Sequence, residues 1–245
     1  MSEVINDILG YNGIKVIQDS EKFNFSLDST LLANFISPNL NAKEILDIGC
    51  GNGFIPLFLT LKTKAHITGI EIQQELADQA KRSVELNKLN NQITIECKDV
   101  REYHKEIGVS KFDVICCNPP YFKYKESSKI NKNDYLTIAR HEINLDIDSL
   151  LDSVRKLLKD NGTFYLVHRT ERLMDIIESF RKNNIEIKKM QFVYTKRSSQ
   201  DSLLVLIEAK KTTKKGGLKI LKPLYCHKEN GEYTKEVLKI FNYKA

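Results

Sequence analysis

The chain of 245 residues is 41% hydrophobic and 29% charged, which suits one globular core of good size, and no apolar run approaches the roughly 20 residues that a membrane-crossing helix needs. Five cysteines (Cys50, Cys97, Cys116, Cys117, Cys226) and five histidines (His66, His104, His141, His168, His227) lack the spacing of a disulfide framework or a metal site, so reduced core thiols and no metal are expected. A net charge of +6 and a pI near 8.9 suit an acidic partner such as RNA, while the heavy use of Lys, Asn and Ile is also what an AT-rich genome produces, so charge alone leaves both readings open.

The start, Met1 to Asp7, places Glu3 and Asp7 where a secretory leader carries lysines, and the cytosol is the expected location. The segment Phe23-Asn-Phe-Ser-Leu-Asp-Ser-Thr-Leu-Leu-Ala33 reads as a loop leading into a capped helix. From about residue 43, short apolar runs alternate with helical periodicities, the pattern of a parallel α/β sheet. Strands are predicted over Glu44 to Ile48, His66 to Glu71, Gln92 to Cys97, Phe112 to Cys117, Thr163 to His168, Ile185 to Tyr194 and Leu203 to Ala209. Helices are predicted over Gln73 to Leu89, Asp146 to Lys159 and Glu171 to Arg181, with Asn161-Gly162 as the stop before the next strand. Thr195 to Ser202 is too short for a helical crossover, so the last two strands pair antiparallel, the final one inserted beside the others. Seven strands, mostly parallel with an antiparallel last strand, resemble the Rossmann-like class I methyltransferase fold. Residues 210 to 222, lysine-rich with Gly216-Gly217, read as an exposed basic arm.

Chemistry concentrates at the strand ends. Leu46-Asp47-Ile48-Gly49-Cys50-Gly51-Asn52-Gly53 follows a strand and opens a helix, so glycine backbone comes close to whatever binds there. The GxGxG spacing lacks the third dinucleotide glycine, and an acid before the glycines suits an ammonium better than a phosphate. Glu71, 20 residues after Gly51, stands where α/β nucleotide sites put a carboxylate on ribose hydroxyls. Asp99 follows the third strand and suits either an adenine amino group or a helix N-cap. Together these ends outline adenosyl plus amino acid, hence S-adenosylmethionine as cofactor, with Asp47, Gly49, Gly51, Gly53, Glu71, Asp99 and Asn118 as candidate cofactor residues.

Asn118-Pro119-Pro120-Tyr121 ends the fourth strand. Two prolines cannot continue the ladder and leave a carbonyl at the strand tip. The Asn118 side-chain oxygen and the Pro119 carbonyl suit two hydrogens of one planar NH2 group, and Tyr121 suits stacking on the ring that bears it. The tetrapeptide resembles that of the amino methyltransferases. With Phe23 to Phe35, Leu46 to Pro56, Gly69 to Asn87, Phe112 to Phe122, Ile138 to Glu142, Val167 to Arg172 and Gly231 to Thr234, nearly the whole chain resembles the bacterial valine tRNA adenine-N6 methyltransferases, which modify the adenine 3′ of the anticodon.

That resemblance implies tRNA as partner, no membrane, no metal and no obligate protein partner. The two ends differ from the middle, so the chain is read as an N-terminal segment (1–42) covering the site, a methyltransferase domain (43–209) and a basic extension (210–245) packing back on it. Asn118, Pro119, Pro120 and Tyr121 are the candidate catalytic residues. Candidate RNA contacts are Tyr121, Phe122, Lys123, Lys125 and Arg140 near the pocket, Lys196 and Arg197 in the last hairpin, and the arm, notably Lys214 and Lys215. Cys50 stands where the family would place Thr or Ser. A protein glutamine-N5 methyltransferase uses the same tetrapeptide, but its long N-terminal helical domain has no counterpart here. DNA adenine methylation lacks a separate target-recognition domain in this chain, and a noncatalytic RNA-binding module has no need of an intact Asn118-Pro-Pro-Tyr.

Overall fold

The computed structural model describes residues 3–8, 11–19, 27–38, 41–119 and 145–241. The first strands, β1 (Glu3–Ile8) and β2 (Tyr11–Asp19), form an antiparallel hairpin, and α1 (Leu27–Phe35) follows. The central region runs β3 (Glu44–Ile48), α2 (Phe54–Leu59), β4 (His66–Glu71), α3 (Gln74–Leu86), β5 (Ile93–Cys97), α4 (Val100–Ile107) and β6 (Phe112–Cys117). Next come α5 (Ile147–Leu157), β7 (Leu158–Arg169), α6 (Leu173–Lys182), β8 (Glu186–Tyr194) and β9 (Leu204–Lys210). Two short strands, β10 (Lys219–Ile220) and β11 (Leu224–Tyr225), precede α7 (Lys235–Phe241).

The main sheet is ordered β10-β8-β9-β7-β6-β3-β4-β5, with β11 also pairing β8. The β3, β4, β5, β6 and β7 ladders are parallel, and β9 lies antiparallel between β7 and β8. This is the class I methyltransferase topology, with the reversed strand inserted as the short 195–202 connection requires.

Strand alternation distributes the core between two faces, since successive side chains of a sheet buried on both sides point oppositely. On one face Ile45, Ile67, Ile93, Val114, Cys116 and Val167 pack against α1, α2, α3 and α7. On the other, Leu46, Ile48, Ile115, Cys117, Phe164 and Leu166 pack against α4, α5 and α6. The result is a three-layer sandwich, and among the described residues no helix is long and apolar enough to cross a membrane.

Three features differ from the sequence expectation. The first is the β1–β2 hairpin, in a segment where the sequence points only to a loop and a helix. It is stitched to α3: Ile17 N–H donates to Ser83 Oγ (3.0 Å), Lys15 and Asn87 exchange backbone and amide hydrogen bonds, and Arg82 pairs with Glu3. The second is the start of β7, five residues before Thr163. Leu158 pairs with Phe112, and a register shift absorbs Lys159 to Gly162, with Asn161 at φ 62°. The third is α4, a helix that the sequence signals only through the N-cap reading of Asp99, the residue that caps its first turn.

Beyond β9 the chain doubles back. Lys219 and Leu224 pair parallel to Lys189 and Val193 of β8, so the extension travels along the sheet edge and delivers α7 onto α1. Val237 and Ile240 of α7 join the apolar cluster that holds Leu31 and Leu32.

Candidate active site

Parallel strands put all their carboxyl ends on one edge, and loops there converge on a crevice. The turn after β3 forms its floor. Gly49, Gly51 and Gly53 have φ of 70°, 54° and 86°, a left-handed region where a side chain is strained. Around a Cβ built at Gly49 or Gly51 there is nothing within 4 Å, so the turn faces open space. At Gly53 a Cβ would meet that of Ala80 at 3.2 Å, so this glycine serves helix packing as well.

Glu71 ties this turn to the end of β4. Its Oε2 accepts from Gly51 N–H and its Oε1 from Gln73 N–H, both at 3.0 Å. Burial raises its pKa, and the backbone donors pull it back. The carboxylate expected at a ribose is thus also a brace of the glycine turn, a role that spacing alone does not reveal.

Asp47 is wholly buried. Its Oδ1 accepts from Cys116 Sγ at 3.4 Å, and its Oδ2 has no hydrogen-bond partner. Burial, with the nearby Glu71 adding to it, pushes the carboxyl up to about 8. Among the described residues neither acid is paired with a cation. Asp47, with its buried and orphaned Oδ2, and Glu71 lie behind a glycine turn that faces open space, so a cation reaching them would offset the cost of their buried charge.

Asp99 adopts the N-cap role, accepting from Arg101 N–H at 2.9 Å, while the Arg101 Nε reaches both carboxylate oxygens at 3.0 and 2.9 Å. The Arg101 guanidinium holds its pKa low. The two readings left open for Asp99 are therefore not exclusive, but the cap is the one with a partner in place.

Asn118 and Pro119 stand at the tip of β6, Pro119 buried and Asn118 half-buried. The Asn118 Nδ2 donates to Ser29 Oγ of α1 at 2.8 Å. The segment containing Ser29 stands out in the sequence, but this contact, which spans 89 residues, does not. Cys116 and Cys117 are buried, free and pushed to high pKa by burial, as expected of core thiols. Pro120, Tyr121, Phe122, Lys123, Lys125 and Arg140 lie outside the described residues, and among the described residues no His, Cys, Asp and Glu cluster could hold a metal ion.

The two basic regions go to opposite edges. Because β8 runs parallel to β7, the hairpin with Lys196 and Arg197 lies at the carboxyl edge, where Thr170 N–H donates to Leu203 O and Ser202 Oγ to Thr170 Oγ1. Arg197 is exposed, its guanidinium 6.0 Å from the Tyr225 ring centre, and Lys196 Nζ donates to Glu229 O. The arm instead leaves β9 at the amino edge. Lys211 is tied to Leu158 O and Asp160, and Lys188 Nζ holds the carbonyls of Lys214 and Gly216. Lys214 and Lys215 are exposed there, and the structure does not bring them together with Asn118.

Residues 23–195 match the family described as "Methyltransferase small domain". The chain is 34% identical over 145 residues to a tRNA1(Val) (adenine(37)-N6)-methyltransferase of Shewanella sediminis, an alignment covering 58% of each chain. It is 34% identical over 170 residues to the protein of the same name in Bacteroides fragilis, covering 69% of this chain and 67% of that one. This chain thus spans less than two thirds of the Shewanella relative. Among solved structures, a predicted O-methyltransferase, Atu636 from Agrobacterium tumefaciens, has the same fold, with TM-score 0.67, 22% identity and coverage of 89% and 97% of the two chains. TYW2 of P. horikoshii, solved in complex with MeSAdo, superposes at TM-score 0.57 with 15% identity, covering 85% of this chain and 72% of that one.

Proposed function

From a chain that belongs to the methyltransferase small domain family, we propose S-adenosylmethionine-dependent methylation of N6 of an adenine in tRNA, the adenine 3′ of the anticodon of valine tRNA. The observation that supports the chemistry is the β6 tip, where Asn118 and the buried Pro119 stand on the same sheet edge as a glycine turn and the acids Asp47 and Glu71. The relatives' names support the choice of tRNA and of position.

The site fits the cofactor. Asp47, with an orphaned Oδ2, would take the ammonium of its amino-acid part, Glu71 the ribose hydroxyls, and Asp99 the adenine amine. When bound, the cofactor supplies a methyl group on a sulfonium, which needs no enzyme nucleophile, consistent with the inert thiols of Cys116 and Cys117. An exocyclic adenine amine is a weak nucleophile because its lone pair is delocalised into the ring. The Asn118 Oδ1 and the Pro119 carbonyl, accepting its two hydrogens, would turn that lone pair out of the ring plane, and the pocket would align the groups and exclude water. The base must leave its stack in the loop to enter.

Labelled methyl offered to bulk tRNA, bulk DNA and a release factor tests the reading. Label is expected in tRNA as N6-methyladenosine; label only in a release factor, or only in DNA, overturns it. In binding, Glu71→Ala is expected to weaken S-adenosylmethionine by about 1 to 3 kcal/mol, since charge-assisted hydrogen bonds go unmade. Its Tm is expected to fall as well, because the brace on Gly51 is removed. Calorimetric titration and thermal melts check both, and an unchanged dissociation constant would place the ribose elsewhere.

Phosphate contacts are proposed for the carboxyl-edge hairpin. Changing Lys196 and Arg197 to Gln is expected to flatten the slope of log affinity for tRNA against log salt by roughly 0.7 to 0.9 for each phosphate no longer neutralised. The same change at Lys214 and Lys215, on the other edge, is expected to leave the slope as it is in the wild type. Titrations at several salt concentrations separate the two, and a slope that responds only to the arm would reverse the assignment.

A further inference from the structure

We propose that Ser29 is a positioning residue that sets which end of the Asn118 carboxamide faces the target amine. This rests on the methyl-transfer reading above and adds to it a residue outside the Asn-Pro-Pro-Tyr motif.

A carboxamide presents two ends of nearly equal size and opposite chemistry: an oxygen that accepts and a nitrogen that donates. Rotation about the bond to that planar group is soft, so shape alone does not decide between the ends. Only the oxygen can grip an N–H of the target amine; the other orientation sets donor against donor. The Ser29 hydroxyl can serve either end; here it accepts a hydrogen from Asn118 Nδ2 at 2.8 Å, and that pairing holds the nitrogen end at α1. With the nitrogen held toward α1, the planar group turns Oδ1 away from α1.

The hydroxyl can act as a reference point only if α1 is itself fixed, and the structure shows how. Leu31, Leu32 and Ala33 are fully buried or nearly so. At the helix's far end the Lys62 ammonium donates to the carbonyls of Ala33 (3.1 Å), Asn34 (2.6 Å) and Ile36, meeting carbonyls that a helix C-terminus leaves open. The Tyr165 hydroxyl donates to Ser37 O at 3.1 Å, and the Phe35 and Tyr165 rings meet edge to face at 5.9 Å. Val237 and Ile240 cover the remaining side from α7. Lys62, Tyr165 and the C-terminal helix thus brace one element whose first turn touches the catalytic amide.

The test is steady-state kinetics on tRNA for Ser29→Ala and Ser29→Thr, each in the wild-type and the Asn118→Ala background. Ser29→Ala is expected to lower kcat about tenfold with KM for tRNA, cofactor affinity and Tm little changed, and Ser29→Thr, which keeps the hydroxyl, to recover most of the loss. In the Asn118→Ala background Ser29→Ala is expected to have no further effect, because the group it orients is gone. A wild-type kcat in Ser29→Ala, a threonine variant as slow as the alanine one, or full additivity with Asn118→Ala would each overturn the assignment. If Asn118→Ala itself turned over normally, the methyl-transfer reading would fall, and this inference with it. A slow Asn118→Ala beside a normal Ser29→Ala would remove the inference alone.

Discussion

Asn118→Ala is expected to lower methyl transfer to tRNA on the order of 100-fold or more, the scale found when one preorganised hydrogen-bonding group that acts in the transition state is removed. The side chain stands at the tip of β6, held by Ser29, with the buried Pro119 next to it. In the proposed mechanism truncation would leave the Pro119 carbonyl as the single acceptor, so the amine would no longer be drawn out of conjugation from both hydrogens. The glycine turn, Glu71 and Asp47 do not depend on Asn118 for their hydrogen bonds, so cofactor affinity is expected to change little. Single-turnover kinetics and cofactor titration together check this. Wild-type turnover would remove the motif from the chemistry, and a matching collapse of cofactor binding would make its role one of pocket assembly.

Asp47→Asn is expected to change stability and binding in opposite directions. The folded carboxyl is pushed up to about 8 from an ordinary 3.8 by burial. Between those two values the folded state binds a proton that the unfolded state releases, so stability falls as pH rises through this window, and the full burden is present above pH 8. Below about pH 4 both states are protonated and the burden vanishes. Asparagine has nearly the same shape and never carries the charge. Its amide N–H left without an acceptor costs about 1 to 3 kcal/mol, while the charge burial it removes is worth several kcal/mol at alkaline pH. Net stabilisation is therefore expected, at about 2 to 4 °C in Tm for each kcal/mol gained in a chain of this size. The Tm gap over wild type is expected to widen from pH 5 to pH 8.5. Affinity for S-adenosylmethionine is expected to drop at the same time, because the carboxylate that would meet its ammonium is gone. Melts across pH, with and without cofactor, test the pair of effects. A Tm gap that does not vary with pH would mean that Asp47 is ionised throughout.

The sequence by itself was sufficient for the seven main strands of the sheet and for their order of direction. Apolar runs such as Glu44 to Ile48 and Phe112 to Cys117 are strands buried on both faces, and that burial is what makes them continuous and readable. The glycines at 49, 51 and 53 were legible because a left-handed turn tolerates little else, and Asn118-Pro119 because proline ends a ladder by lacking an N–H. The reversed last strand followed from the length of the 195–202 connection. What only the tertiary structure decided are relations between distant residues. The β1–β2 hairpin exists because α3 offers Ser83 and Asn87 to its backbone, and neither short strand announces such a partner in its own residues. Glu71 reads as a ribose ligand from its place after a strand, yet its hold on Gly51 depends on how the β3 turn folds over it. The lysines of the arm look equivalent to Lys196 and Arg197 as local charge, but strand direction sends one group to the amino edge and the other to the carboxyl edge. Local pattern encodes what each segment prefers, through burial period and backbone sterics. Which carboxylate is orphaned, which hydroxyl meets Asn118 and which lysines share an edge with it depend on three-dimensional proximity, and that is set by the packing of α1, α3 and α7 onto the sheet.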